Sequence, residues 1–319
     1  SRTWASASQP RSMQASSASR SGLLTRTAIR VPVAETPHRR LITGGPLTRL
    51  MTLEVAGKST RKQVEIPWSR FDRSKYPEEA LAIAYDAMRW LATGEYVAVE
   101  GFARLLTSFS WHQVPHDLIT ACARIPADEI RHAEIALQAA SKLSGKTPDE
   151  IPMSIQGRRP AHPPDVRAPI GTLDILVATL PAMLETIACA LLSEARKRAT
   201  DPMMKAVYAN VLADEIHHAR VGWYYLAWRA PQWTAEERQQ LSNTIGYRVA
   251  QRAAQISDGR DAPKGTAKAV RALGVMDAAT QAQVVKRVME AEILPAFDAL
   301  GLGASHAYRG SPLDVLEVT

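Results

Sequence analysis

Two heptapeptides of this chain nearly repeat each other. Residues 127–133 read Ala-Asp-Glu-Ile-Arg-His-Ala and residues 213–219 read Ala-Asp-Glu-Ile-His-His-Ala, identical at six of seven positions. Each contains Glu-x-x-His, pairing Glu129 with His132 and Glu215 with His218. On a helix, three residues bring a carboxylate and an imidazole to one face, one turn apart. Two such pairs point to a two-metal site inside a helix bundle, and that site needs one more Glu from each of two other helices. Glu95, 34 residues before Glu129, and Glu185, 30 before Glu215, meet the need. The midpoints fall at residue 112, inside a Trp111–Pro115 turn, and at residue 200, beside Asp201-Pro202. In antiparallel hairpins each Glu then lies roughly 20 Å from its turn, and all four carboxylates reach one height. Glu100 and Glu194 are rotated by about 140° and 180° from Glu95 and Glu185, so neither replaces them.

Four buried carboxylates are untenable without compensation. Two divalent cations neutralise them, and the two imidazoles complete the ligand set. Oxygen-rich ligation with one His per metal suits two iron ions, or manganese or a mixed pair, better than zinc or copper. Asp128 and Asp214 are placed to accept the other ring N–H of the His on the opposite hairpin. Arg131 can neutralise such an Asp. Tyr208, seven residues before Glu215 on the same face, is grouped with these supporting residues as a residue able to line the cavity, with a core aromatic the favoured reading. His217 points about 100° away from His218 and is not a ligand. Pro126 and Pro181, one turn before Glu129 and just before Glu185, each remove a helix hydrogen bond. They are read either as kinks that widen the core for a substrate or as packing irregularities.

The elements that must carry these residues are helical. Pro77-Glu78-Glu79 opens a helix with Pro at its start and acids in the first turn. A second helix runs from about His116 to Leu143 and stops before Gly145. A Pro- and Gly-rich crossover follows, to about residue 171. A third helix leads to Ala199, and Asp201-Pro202 caps a fourth that ends near Arg229. Thr234-Ala235-Glu236-Glu237 is a capping box for a fifth, and a last helix covers about Asp277 to Leu300, bent at Pro295. No strand pattern appears.

Composition narrows the rest. Of 319 residues, 46% are hydrophobic, ordinary for a globular chain. Residues 1–50 hold eight Arg, no Lys and one acid, Glu35, and so carry the whole net charge of +7. The rest is neutral, which argues against a nucleic-acid partner. The arm is Ser/Arg-rich and reads as flexible or targeting, with Met51 as a start site. His38-Arg39-Arg40-Leu41-Ile42 resembles a twin-arginine signal, but Gly44, Gly45 and Pro46 break the apolar run that should follow. No apolar run is long enough to span a bilayer; Leu173–Leu192 is interrupted by Asp174, Pro181 and Glu185. Cys122 and Cys189 form no Cys-x-x-Cys pair, so neither a disulfide framework nor a zinc ribbon is expected.

Glu95, Glu129/His132, Glu185 and Glu215/His218 resemble, one for one, the ligand pattern of the ferritin-like di-iron carboxylate superfamily. Asp128-Glu129-Ile130-Arg131-His132 is also similar to the Asp-Glu-x-Arg-His string of bacterial multicomponent monooxygenases and ribonucleotide reductase small subunits. A reductase would place its radical Tyr where Ala136 and Leu137 stand. A rubrerythrin would carry a four-Cys module that is missing here. Ligand spacing and chain length are closest to arylamine N-oxygenases, which add a His where this chain has Val211.

The resemblance covers about residues 77–229. It implies an all-α fold, a ferritin-like four-helix bundle with additional C-terminal helices at about 235–300. It also implies a non-haem di-iron enzyme that uses O2 to hydroxylate, N-oxygenate or desaturate a small organic substrate. The alternative is a ferroxidase or iron-handling protein. An external electron donor is required, since no flavin, haem or iron–sulfur motif is present. A cytoplasmic location is expected, with N-terminal targeting as the alternative, and a homodimer is compatible with the chain.

Overall fold

The computed structural model describes residues 63–153, 165–256 and 265–316. The basic arm expected over residues 1–50 lies outside them. The described residues are helical, with no strand among them, in agreement with the all-α expectation.

Four long helices form two hairpins: α1 (Glu78–Trp111) with α2 (His116–Ser144), and α3 (Ile170–Arg198) with α4 (Pro202–Arg229). The hairpins meet where α2 packs on α4 and where α1 packs on the first turns of α3. Smaller helices follow: α5 (Ala235–Ile256), α6 (Ala267–Ala272), α7 (Ala278–Val288), α8 (Leu294–Ala299) and α9 (Ala304–Tyr308). A π turn, Met289–Ile293, joins α7 to α8.

Local chemistry sets the ends. Pro77 precedes α1, and Glu78 and Glu79 occupy its first turn, where acids favour the positive end of the helix dipole. The α1–α2 turn passes through Gln113 at φ 53°, and α2 stops at Gly145 at φ 76°, both left-handed. Asp201 Oδ1 accepts the Met204 N–H at 3.0 Å to start α4. At α5, Thr234 and Glu237 exchange backbone-to-side-chain hydrogen bonds of 2.9 and 3.1 Å, a complete capping box.

Pro181 lies inside α3 without ending it. The helix absorbs it by widening into a π turn over Ala178–Leu184, immediately before Glu185. Here Gly222 of α4 is required: a Cβ there would lie 2.4 Å from the Ala182 amide nitrogen. By length and composition α3 is apolar enough to cross a membrane, a test that the core helix of a globular protein also passes. Its acids Asp174 and Glu185 are buried among polar partners inside the fold.

The apolar core has two parts. One gathers Phe102, Phe109, Ile125, Tyr225 and Phe297; the other gathers Leu81, Met88, Leu143, Met203 and Tyr208. On α1, α2 and α4 the candidate ligands fall between the two parts, whereas on α3 Glu185 lies within the first, between Met183 and Ile187. Glu95 falls between Met88 and Phe102, Glu129 and His132 between Ile125 and Ala139, and Glu215 and His218 between Leu212 and Val221. The candidate site is therefore a polar slab across the middle of α1, α2 and α4.

Candidate metal centre

The six residues expected to ligate metal converge. Ligand atoms of Glu95, Glu129, His132 and Glu215 all lie within 4.8 Å of one another, and so do those of Glu185, Glu215 and His218. Their burial is nearly complete: His132 is 0% exposed and Glu129, Glu215 and His218 are each 1% exposed. Glu185 is buried too, and Glu95 is half-buried as a residue.

The two imidazoles present Nδ1 to the carboxylates. His132 Nδ1 is 3.0 Å from Glu215 Oε1 and 3.7 Å from Glu129 Oε2. His218 Nδ1 is 2.9 Å from Glu215 Oε2 and 3.1 Å from Glu129 Oε1. Glu129 and Glu215 thus each turn one oxygen toward one histidine and the other oxygen toward the second. That is the arrangement of carboxylates able to bridge two cations. The ring centroids of His132 and His218 are 5.8 Å apart.

The opposite ring nitrogens face Asp128 and Asp214, each across to the other hairpin. His132 Nε2 lies 3.3 Å from Asp214 Oδ2, and His218 Nε2 lies 3.4 Å from Asp128 Oδ2. An N–H donated there leaves the Nδ1 lone pair directed at the carboxylates, as a metal-bound histidine requires. Arg131 pairs with Asp214.

Whether these residues suit a cation is tested by their unmet bonds. Both Glu129 oxygens and His132 Nδ1 are buried and accept or donate no hydrogen bond in the protein, despite the short distances above. Buried polar atoms in native folds rarely stay so. Protonation tells the same story. Burial, then the charges of Glu215 and Glu129, pushes the Glu95 carboxyl well above the usual range; burial and the same two neighbours do so for Glu185. Burial also works against charge on His132 and His218, but their carboxylate neighbours prevail and raise both. Burial raises Glu129 and Glu215, and the imidazoles beside them outweigh it and lower both. The cluster holds protons where cations would restore balance, and buried Glu and His of this kind can hold a metal ion.

Tyr208 is a correction. Its hydroxyl donates to the Leu273 carbonyl at 3.2 Å, and its ring packs where a Cβ on Gly274 would lie 2.4 Å from Cε2. It anchors the turn after α6 as a core aromatic, in the half of the core that also holds Met203 and Leu273, where the seven-residue step from Glu215 carries it. The thiols are inert in character: burial pushes Cys122 up to about 12 and raises Cys189 as well.

Sequence reasoning did not find the cavity. A largely apolar space of about 560 Å³ lies between α1 and α3, with Ala98, Gly101, Leu180 and Leu184 on its walls and Arg104 and Arg248 among its polar groups. Ala98 is one turn after Glu95 and Leu184 directly precedes Glu185, so one end reaches the level of the carboxylates. The only trace in the sequence is a stripe at helical spacing on α1, which any buried helix face would show.

Comparison with protein-family models, with curated proteins and with solved structures found no match to this chain.

Proposed function

We propose that this protein is a ferritin-like four-helix bundle of the di-iron carboxylate type that oxidises a small organic substrate with O2. The observation that carries the reading is that Glu129 and Glu215 each divide their oxygens between His132 and His218. Glu95 and His132 would hold one metal, Glu185 and His218 the other, with Glu129 and Glu215 spanning both. Oxygen-rich donor sets with one imidazole per metal favour iron, with manganese or a mixed pair as alternatives. When bound, the metals supply the electron-transfer capacity for reducing O2, which no side chain here possesses.

The chain's own residues do the rest. Asp128 and Asp214 hold the two imidazole rings in one tautomer and orientation. The apolar halves of the core above and below the slab exclude bulk water. The neighbouring cavity holds the substrate, and its apolar walls favour an organic molecule over the hydrated ferrous ion that a ferroxidase would admit. In a hydroxylation, one oxygen atom enters the substrate and the other leaves as water. The two electrons and two protons needed come from an external donor, since the sequence shows no flavin, haem or iron–sulfur motif.

Expression in iron-rich medium followed by metal analysis tests the proposal. Two irons per chain, and O2 uptake when the reduced protein is mixed with O2, are expected. Iron near zero, unchanged by Glu129→Ala, would overturn it.

A further inference from the structure

Resting on the oxygenase reading above, which requires an external donor, we infer that the outer face of α2 and α4 docks an acidic one-electron carrier protein. The repeated heptapeptides carry the evidence. In each, an isoleucine follows the ligand glutamate, and both side chains face solvent: Ile130 is 51% exposed and Ile216 is 39% exposed. Among the described residues no other isoleucine is exposed. A third apolar side chain, Val64, is 52% exposed and is held on α4 one turn before Asp214. Its amide N–H donates to Asn210 Oδ1 at 3.1 Å, and its carbonyl accepts from Asn210 Nδ2 at 2.8 Å.

The same stretches are basic. Arg131 pairs with Asp214 yet keeps its side chain 23% exposed, and it meets the Gln63 amide at 3.3 Å. Arg220 is exposed one turn after Ile216. Arg124 and His217 line a small pocket together with Asp128 and His218. The exposed acids on these stretches are Glu65 and Glu134. Directly before Gln63 the chain reads Lys58-Ser59-Thr60-Arg61-Lys62, so three more cations are joined to it where it reaches Arg131. Apolar side chains among cations suit a protein with an acidic surface, whereas a nucleic acid draws its affinity from the cations and has no use for the isoleucines. The face is also linked closely to the site. Asp214 joins Arg131 to His132 Nε2, and His218 lines the small pocket itself. An electron delivered here reaches a ligand imidazole without crossing either apolar half of the core. Each docked carrier is oxidised by one electron, so two encounters supply the two electrons that the reaction consumes.

The test is surface plasmon resonance of the metal-free full chain with a plant-type [2Fe–2S] ferredoxin, a small acidic carrier. Saturable binding that weakens as salt is added is expected, and cytochrome c, a basic carrier, should bind far more weakly. Ile130→Glu and Ile216→Glu, both at exposed helix positions, should each weaken ferredoxin binding about tenfold. Arg220→Glu should slow association several-fold and reduce its salt dependence. Tyr247→Glu, which replaces a 64% exposed aromatic on α5, should bind as wild type. No ferredoxin binding, equal binding of cytochrome c, wild-type affinity in all three face variants, or an equal loss in Tyr247→Glu would overturn the inference. Tighter binding of a DNA duplex than of ferredoxin would overturn it too, as would a dimer of this chain that Ile130→Glu dissolves. Because no metal is present in the measurement, its failure leaves the two-iron stoichiometry standing, and a failed iron assay leaves the binding result standing.

Discussion

Helices α3 and α4 bury acids in two places, and the two behave in opposite ways. Asp174 is 1% exposed and is met by donors on every side. The Tyr225 hydroxyl reaches Oδ1 at 2.8 Å, the Trp233 indole N–H reaches Oδ2 at 2.9 Å, and Arg229 Nε lies 3.4 Å from Oδ2. About three turns farther along α3, Glu185, with Glu215 of α4, faces Glu129, Glu95 and two imidazoles instead. The first acid is completed by its own chain and ties α3, α4 and the turn before α5 together. The second is a cluster of acids and imidazoles that could hold a metal ion. Burial alone therefore does not mark a functional acid; what its lone pairs point at does.

The sharpest break of this contrast is a pair of deletions. Glu185→Ala should sharply reduce bound metal by elemental analysis, while the melting temperature of the metal-free protein stays level or rises, since a buried acid held up by its carboxylate neighbours is removed. Asp174→Ala should do the reverse. Metal content stays at the wild-type value, and stability falls by about 3–5 kcal/mol in denaturant titration, because Arg229 loses a buried partner.

Asp214→Asn sharpens the role of the flanking acids. It keeps every ligand and should weaken metal binding roughly 10–100-fold in competition with a chelator, with Asp128→Asn similar. Gly222→Ala probes the π turn. Overpacking against the Ala182 amide should cost about 1–3 kcal/mol and displace Glu185 more than Glu95. Unequal loss at the two metal positions would be visible in the stoichiometry.

The smallest effect belongs to a surface acid of the completed kind. Asp277 Oδ1 accepts the Thr280 N–H at 2.7 Å, and that hydrogen bond holds its carboxyl below the usual range. Its capping contribution is present above the unfolded carboxyl's range and is lost as pH falls through the lowered folded value. Asp277→Ala should therefore lower the melting temperature slightly at neutral pH and leave it unchanged in strong acid.

Much of the site was legible before any coordinates. Glu-x-x-His repeated with six of seven identities is a local pattern, and helical periodicity turns it directly into shared faces. The heights of Glu95 and Glu185 followed from counting residues to two turns. Tyr208 was not legible in the same way: periodicity places it on the face of Glu215 but says nothing of the Leu273 carbonyl that captures its hydroxyl. Pro181 signalled an irregular helix, and only the approach of Gly222 explains why the irregularity is a π turn.

What the linear chain determined by itself was the all-helical class and the identity of six converging side chains that could hold a metal. Both follow from spacing along a single helix or across one short turn. Which oxygen faces which imbidazole nitrogen, which acids are completed by donors, and where a groove opens beside them were decided by tertiary packing. Those depend on contacts between helices far apart in sequence, where a difference of one ångström separates a hydrogen bond from a ligand position.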